Sequence, residues 1–137
     1  MPDPSELQTI GAVAAGGVIG AAGRWAVAEQ VLRDVPDGFP WAIFTINVLG
    51  CLLIGIVSSR FRRGSLAWAF VATGLLGGFT TMSSFAVELN QRAGDESTGS
   101  ALVYAVATLV AGFAALAIGE AIRGPIDDAA LGPEGVE

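Results

Sequence analysis

Four stretches without a charged residue divide the chain. They run from Leu7 to Gly23, Gly38 to Ser59, Gly64 to Val87 and Ser97 to Gly119, and hold 17, 22, 24 and 23 residues. A helix that crosses bilayer hydrocarbon needs about 20 apolar residues, with roughly 17 to 25 as the working range. The pattern predicts four transmembrane helices; the competing reading is a soluble bundle of wholly buried helices. The runs are separated by RDVPDGFP, RFRRGS and QRAGDESTGS, which carry glycine and charge as turns at a membrane surface do. The first run is the shortest. Arg24 just beyond it can snorkel to the interface, which extends helix 1 to about Leu32.

Composition supports a membrane chain. Of 137 residues, 53% are hydrophobic and only 15% charged, too little polar surface for a soluble domain of this size. The expected organisation is a short N-terminal tail over 1–6, a single four-helix domain over 7–123, and an acidic, disordered tail over 124–137, where glycine, proline and acids dominate. The first residues, MPDPSELQ, hold no basic group of the kind that opens a cleavable signal peptide, so helix 1 is expected to stay in the mature protein. The net charge of −6 comes largely from acids in the two tails, and there is no basic stripe to bind nucleic acid. Cys51 is alone, which excludes an internal disulfide.

All seven basic residues are arginine. With four spans, Arg60, Arg62, Arg63 and Arg123 fall on one side, and Arg33 and Arg92 on the other, joined by Arg24 if it reaches that surface. Such a weak bias hardly selects an orientation and leaves insertion both ways open. Gly16 and Gly20 form a GxxxG pair, and Gly50 and Gly55 thin helix 2, so helix backbones can approach closely. Four helices enclose little space; an ion path is more naturally built between chains, which predicts a homo-oligomer, most simply a dimer.

The third run contains GLLGGFTTMSSFAVE, from Gly74 to Glu88. Gly77 and Gly78 have low helix propensity, and Thr80, Thr81, Ser83 and Ser84 can bond backbone carbonyls in competition with the helix. Together they predict a break in helix 3. Irregular backbone at membrane depth is tolerated only where protein or a polar cavity satisfies it. Freed carbonyls suit an alkali cation and side-chain donors suit an anion; the residues alone leave both open. Thr81, Ser84 and Glu88 share one helical face, with Met82 and Phe85 on a neighbouring one. Asn47 is a primary amide in the middle of helix 2, either interhelical glue or a donor to an anion. Tyr104 and Thr108 align on helix 4 with Gly112. No phosphate-binding loop, histidine or membrane-embedded carboxylate pair points to an enzyme.

Three stretches in order, GGVIGAAGRW from Gly16, TINVLGCLLIG from Thr45 and GLLGGFTTMSSFAVE, resemble the small four-helix fluoride channels, the CrcB/Fluc proteins. The resemblance covers about residues 7–123. It implies an all-α membrane protein with a broken third helix, assembled as an antiparallel, dual-topology dimer in the plasma membrane of a prokaryote. It further implies two fluoride pathways and a central structural sodium ion held by the backbone carbonyls of Gly77 and Thr80. Asn47, Thr81, Met82, Ser84, Phe85, Tyr104 and Thr108 would line the fluoride path, with Arg24 and Glu88 in vestibule or structural positions. The role implied is passive export of cytoplasmic fluoride and resistance to it. Where the family pattern has TTFSTF, this chain reads TTMSSF, so Met82 replaces an aromatic ring. That departure favours altered conduction or, as the alternative, a non-conducting or obligate heterodimer subunit paired with a paralogue. A small multidrug exporter is disfavoured, because Leu7 to Gly23 lacks the buried carboxylate that such chemistry needs.

Overall fold

The computed structural model describes residues 3–31, 39–58, 60–95 and 97–122. Arg33, Arg123 and the expected tail over 124–137 lie outside them. Helix α1 spans Pro4–Ala26 and continues as a π-helical turn over Val27–Val31. Helix α2 spans Trp41–Val57. Segment α3 opens as one α-helical turn over Leu66–Trp68, widens to a π-helix over Ala69–Leu76 and closes as α-helix over Gly77–Phe79. Helix α4 spans Met82–Asp95 and α5 spans Thr98–Ala121. Predicted helix 3 therefore corresponds to α3 plus α4, and predicted helix 4 to α5. No strand occurs among the described residues.

Hydroxyl side chains start three of these elements. The N-termini of α3, α4 and α5 each leave backbone N–H groups without helical partners. Ser65 Oγ accepts from Trp68 N at 3.1 Å, Thr81 Oγ1 from Ser84 N at 3.1 Å, and Ser97 Oγ from Ser100 N at 3.1 Å. Gly64, with φ +85°, makes the left-handed turn before the first of these caps. At α1, Pro4 takes the first helical position and Glu6 Oε2 accepts the Asp3 N–H at 3.1 Å.

Three segments, Ser5–Glu29, Leu66–Gly94 and Thr98–Ala121, are long and apolar enough to cross a bilayer, and α2 is a shorter apolar helix of 17 residues. Seventeen residues rise about 25 Å, close to the thinnest span that a bilayer core accepts. The segment RFRRGS is a turn as expected, whereas QRAGDESTGS is not mainly a loop. Helix α4 runs on to Asp95 and α5 begins at Thr98, so most of that segment is helical.

Glycines hold the bundle in two pairs. A Cβ at Gly16 would strike the Phe70 carbonyl, one at Gly74 would lie 2.7 Å from the Val13 carbonyl, and one at Gly78 would meet the backbone of Gly17. Helices α1 and α3 thus pack backbone against backbone. Helices α2 and α5 do the same, because a Cβ at Gly55 would strike the Leu116 carbonyl and one at Gly119 the Leu52 carbonyl. In lipid, where no hydrophobic force drives helices together, such close approach maximises dispersion contact. Helix α4 belongs with the second pair. Its Phe85 joins Ile43, Ile46 and Tyr104 in a buried cluster, with Ile46 and Tyr104 fully excluded from solvent.

Candidate functional site

Between Phe79 and Met82 the α-helix stops. Thr80 is extended, with φ −75° and ψ 159°, and Thr81 follows it as the cap of α4. A continuous helix would give the Thr81 N–H to the Gly77 carbonyl. Here it goes to Asn47 Oδ1 at 2.9 Å, while Asn47 Nδ2 donates to the Thr81 carbonyl at 3.0 Å. One amide side chain thus takes up both backbone groups of Thr81, which answers the demand that buried peptide groups be paired. Thr80 stays tied to the preceding turn twice, its N–H and its Oγ1 each donating to the Leu76 carbonyl at 3.0 Å.

The glycines are not where the helix fails. Gly77 and Gly78 are both helical, and Gly78 is used for contact with α1. The interruption falls two residues later, at the threonines, where a side chain from α2 can replace the missing ladder.

The interruption alters the carbonyls of the last helical turn, those of Gly77 and Thr80 among them. Gly77 loses its donor to Asn47, and the Ser84 N–H that would reach the Thr80 carbonyl goes to Thr81 Oγ1. The Thr80 oxygen instead accepts from Arg24 Nη1 at 3.1 Å, which places the only cation of α1 on the interruption. Among the described residues no group of three or more His, Cys, Asp or Glu could hold a metal. A cation here would rely on backbone oxygen, the hard donor that alkali ions prefer. The Gly77 and Thr80 oxygens suit an alkali ion in kind, but a pair is too few to enclose one.

Beside the interruption lies an open cleft of about 440 Å³, lined in part by Asn47, Thr81, Met82, Phe85 and Thr108, and also touched by Gly77 and Thr80. The named polar groups in this lining are uncharged amide, hydroxyl and backbone. Thr81 Oγ1 donates to Ser84 Oγ at 3.0 Å, and Thr108 Oγ1 donates to the Tyr104 carbonyl at 2.8 Å. Asn47 retains a second N–H with no partner among the described residues. Met82 and Phe85, three positions apart, part company. Phe85 is 5% exposed against the Tyr104 ring, with centroids 5.2 Å apart, whereas Met82 is 74% exposed.

Ser84, Tyr104, Glu88 and Arg24 lie outside that lining. Tyr104 O–H donates to Glu88 Oε2 at 2.7 Å, so the carboxylate of α4 is tied across to α5. Two further residues join Tyr104 and Glu88, and neither is among the sequence candidates. The Phe39 ring meets Tyr104 edge to face at 5.5 Å and 89°. The Arg92 guanidinium lies 5.8 Å from the Phe39 ring centre and 5.9 Å from that of Tyr104. Arg92 was detectable in principle, because it follows Glu88 by one helical turn. Phe39 sits in a connection with no periodicity to reveal it.

These features define a small, multi-pass helical membrane protein built around an interrupted helix and a cleft of uncharged donors. Residues 11–120 match the family described as CrcB-like protein, Camphor Resistance (CrcB). The chain belongs to that family. It is 37% identical over 112 residues to a fluoride-specific ion channel FluC of Caulobacter vibrioides, covering 78% of this chain and 88% of that protein. It is 39% identical over 114 residues to the protein of the same name from Prosthecochloris aestuarii, covering 80% and 88%. A third, from Rhizobium leguminosarum bv. trifolii, is 37% identical over 117 residues, covering 80% and 91%. With bacterial relatives and several helices able to span, this is a multi-pass protein of a prokaryotic plasma membrane.

Proposed function

We propose that this chain is a fluoride-specific ion channel, a passive path rather than an enzyme, that lets fluoride leave the cell and so confers resistance to it. The observation that carries the reading is the match, over most of the chain, to relatives that bear that name. The uncharged cleft at the helix interruption supports it.

Fluoride is small and strongly hydrated, so a selective path has to replace its water with several donors and still release it. The second Asn47 N–H would donate to the ion, and Thr81, whose hydroxyl donates to Ser84 Oγ at rest, would have to turn its O–H toward it, with Ser84 behind Thr81 and outside the cleft lining. The Phe85 ring edge carries partial positive charge and attracts an anion without trapping it. Tyr104 and Thr108 donate elsewhere at rest, to Glu88 and to the Tyr104 carbonyl, and each would have to turn toward a passing ion. Arg24 biases the field at the interruption.

In the same reading, two copies assemble antiparallel in the membrane, with two pathways and one sodium ion between them. Gly77 and Thr80 of each copy would bring four carbonyl oxygens together, enough to hold an alkali ion that two oxygens cannot enclose. The bound ion would supply a fixed positive charge that joins the two interruptions. Sharing the Thr80 oxygen with Arg24 weakens that ligand, so the site should be modest in affinity. The exposed Met82 favours a second reading, an obligate heterodimer with a paralogue that supplies the missing ring.

Liposomes containing only this purified chain decide between them, with fluoride efflux read by a fluoride electrode and chloride release measured in parallel. Fast fluoride release without chloride is the expected result. No release from a folded, inserted dimer would favour the heterodimer.

A further inference from the structure

The channel reading accounts for Tyr104 and Glu88 but gives no task to Arg92, which the fold holds with some care. Its guanidinium lies in the corner formed by two perpendicular rings, 5.8 Å from the centre of Phe39 and 5.9 Å from that of Tyr104. Arginine suits this position because its planar, weakly hydrated cation stacks on aromatic faces. Arg92 is half-buried, so the charge is set in place rather than left to sweep through solvent.

Glu88 precedes Arg92 by four residues on α4 and shares its face. Tyr104 engages both: its hydroxyl donates to Glu88 Oε2 at 2.7 Å and its ring carries Arg92. One side chain of α5 therefore fixes a carboxylate and a guanidinium of α4 at one end of this helix pair, where the Tyr104 ring packs on Phe85 of the cleft lining. The other described arginines stand elsewhere. Arg24 is bonded at Thr80, and Arg60, Arg62 and Arg63 follow the far end of α2, the end opposite Phe39. A half-buried carboxylate at the approach to a path repels an anion, and a cation held beside it offsets that repulsion.

We propose that Arg92 is a positioning residue of the conduction path: clamped on Phe39 and Tyr104, it supplies the fixed positive charge that offsets Glu88 and keeps this end attractive to a monovalent anion. This rests on the channel reading above.

The test is fluoride efflux from liposomes over a range of ionic strength set with an impermeant salt. It compares the wild-type chain, Arg92→Lys, Arg92→Gln and the double variant Arg92→Gln/Glu88→Gln. Arg92→Gln should lose about tenfold in flux at low salt, the lower end of what electrostatic steering provides. The gap should shrink to about twofold near 0.5 M, where the Debye length falls to about 4 Å. Arg92→Lys keeps the charge and should keep flux within about threefold of wild type, and removing Glu88 in the Arg92→Gln background should restore most of the loss. A loss that is independent of salt and not relieved by Glu88→Gln overturns the proposal and leaves Arg92 as ring packing only. Should Arg92→Gln not fold, the wild-type salt profile decides alone: fluoride flux that does not fall with rising ionic strength overturns the proposal. A wild-type chain that releases no fluoride at any salt overturns the reading of this chain as a self-sufficient channel, and this inference with it.

Discussion

Asn47 does two jobs with one amide. It accepts from and donates to the backbone of Thr81, and it lines the cleft with a second N–H that has no partner among the described residues. Asn47→Asp retains the acceptor, loses the donor and adds a negative charge. Loss of the bond to the Thr81 carbonyl should lower stability by about 1 to 3 kcal/mol, and flux should vanish because the anion meets like charge. A thermal melt in detergent beside the efflux assay reads both, and unchanged flux would remove Asn47 from the path. Tyr104→Phe keeps the ring under Arg92 and loses the hydroxyl that holds Glu88. Bonds to charged groups contribute about 1.5 to 3 kcal/mol, so a lower melting point with fluoride flux reduced is expected. Met82 is mostly exposed, and Met82→Phe should leave stability within about 0.5 kcal/mol. Any gain in flux would then report the ring itself.

Among the elements, the glycines divide by the space around them. Gly74→Ala and Gly119→Ala each drive a methyl group into the backbone of a neighbouring helix, and should destabilise by about 1 to 3 kcal/mol. Gly11 is helical and has nothing within 4 Å of an added Cβ. Gly11→Ala should be neutral or stabilise by up to about 1 kcal/mol through helix propensity alone. Equal effects at Gly11 and Gly74 in the same melts would show that the close crossings contribute nothing. Existence of the spanning elements could be read from charge-free runs, because hydrocarbon admits few other patterns. Their ends could not. The segment from Gln91 to Asp95 looks like a turn in composition yet completes α4. Likewise Gly77 and Gly78 drew attention as the weak point of the third span, but helix propensity says nothing of which neighbour can satisfy a freed peptide. Asn47 can reach Thr81, and the threonines are where the α-helix gives way.

For the whole molecule, the exterior is apolar well beyond what water tolerates. Val18, Met82, Val103 and Phe113 are each more than two-thirds exposed, and lipid or a second copy has to cover such a surface. The dimer proposed above should appear as a single species in detergent by light scattering, and replacing sodium with a bulky organic cation throughout purification should loosen it. A monomer that conducts fully would refute the shared-ion arrangement. Candidate residues such as Asn47, Thr81, Phe85 and Thr108 could be picked from sequence and do line one cleft. The Phe39, Tyr104 and Arg92 cluster could not be assembled that way, since it joins two consecutive helices to a connection more than 50 residues earlier in the chain. Nor does a glycine motif name its partner, so the pairing of α1 with α3 and α2 with α5 was not legible.

That crossed pairing has a consequence for how the chain is made. Neither pair consists of helices adjacent in sequence, so no hairpin emerging from the ribosome is a finished unit. Gly16 waits for Gly74, and Gly55 waits for Gly119, which is made about 45 residues after Gly74. At roughly 5 to 20 residues per second, α2 faces lipid without its tight partner for several seconds after α1 and α3 can already meet. Truncation anywhere within α5 should therefore leave a half-assembled product that membrane proteases clear, even though every residue of the interruption at Thr80 and Thr81 has already been translated.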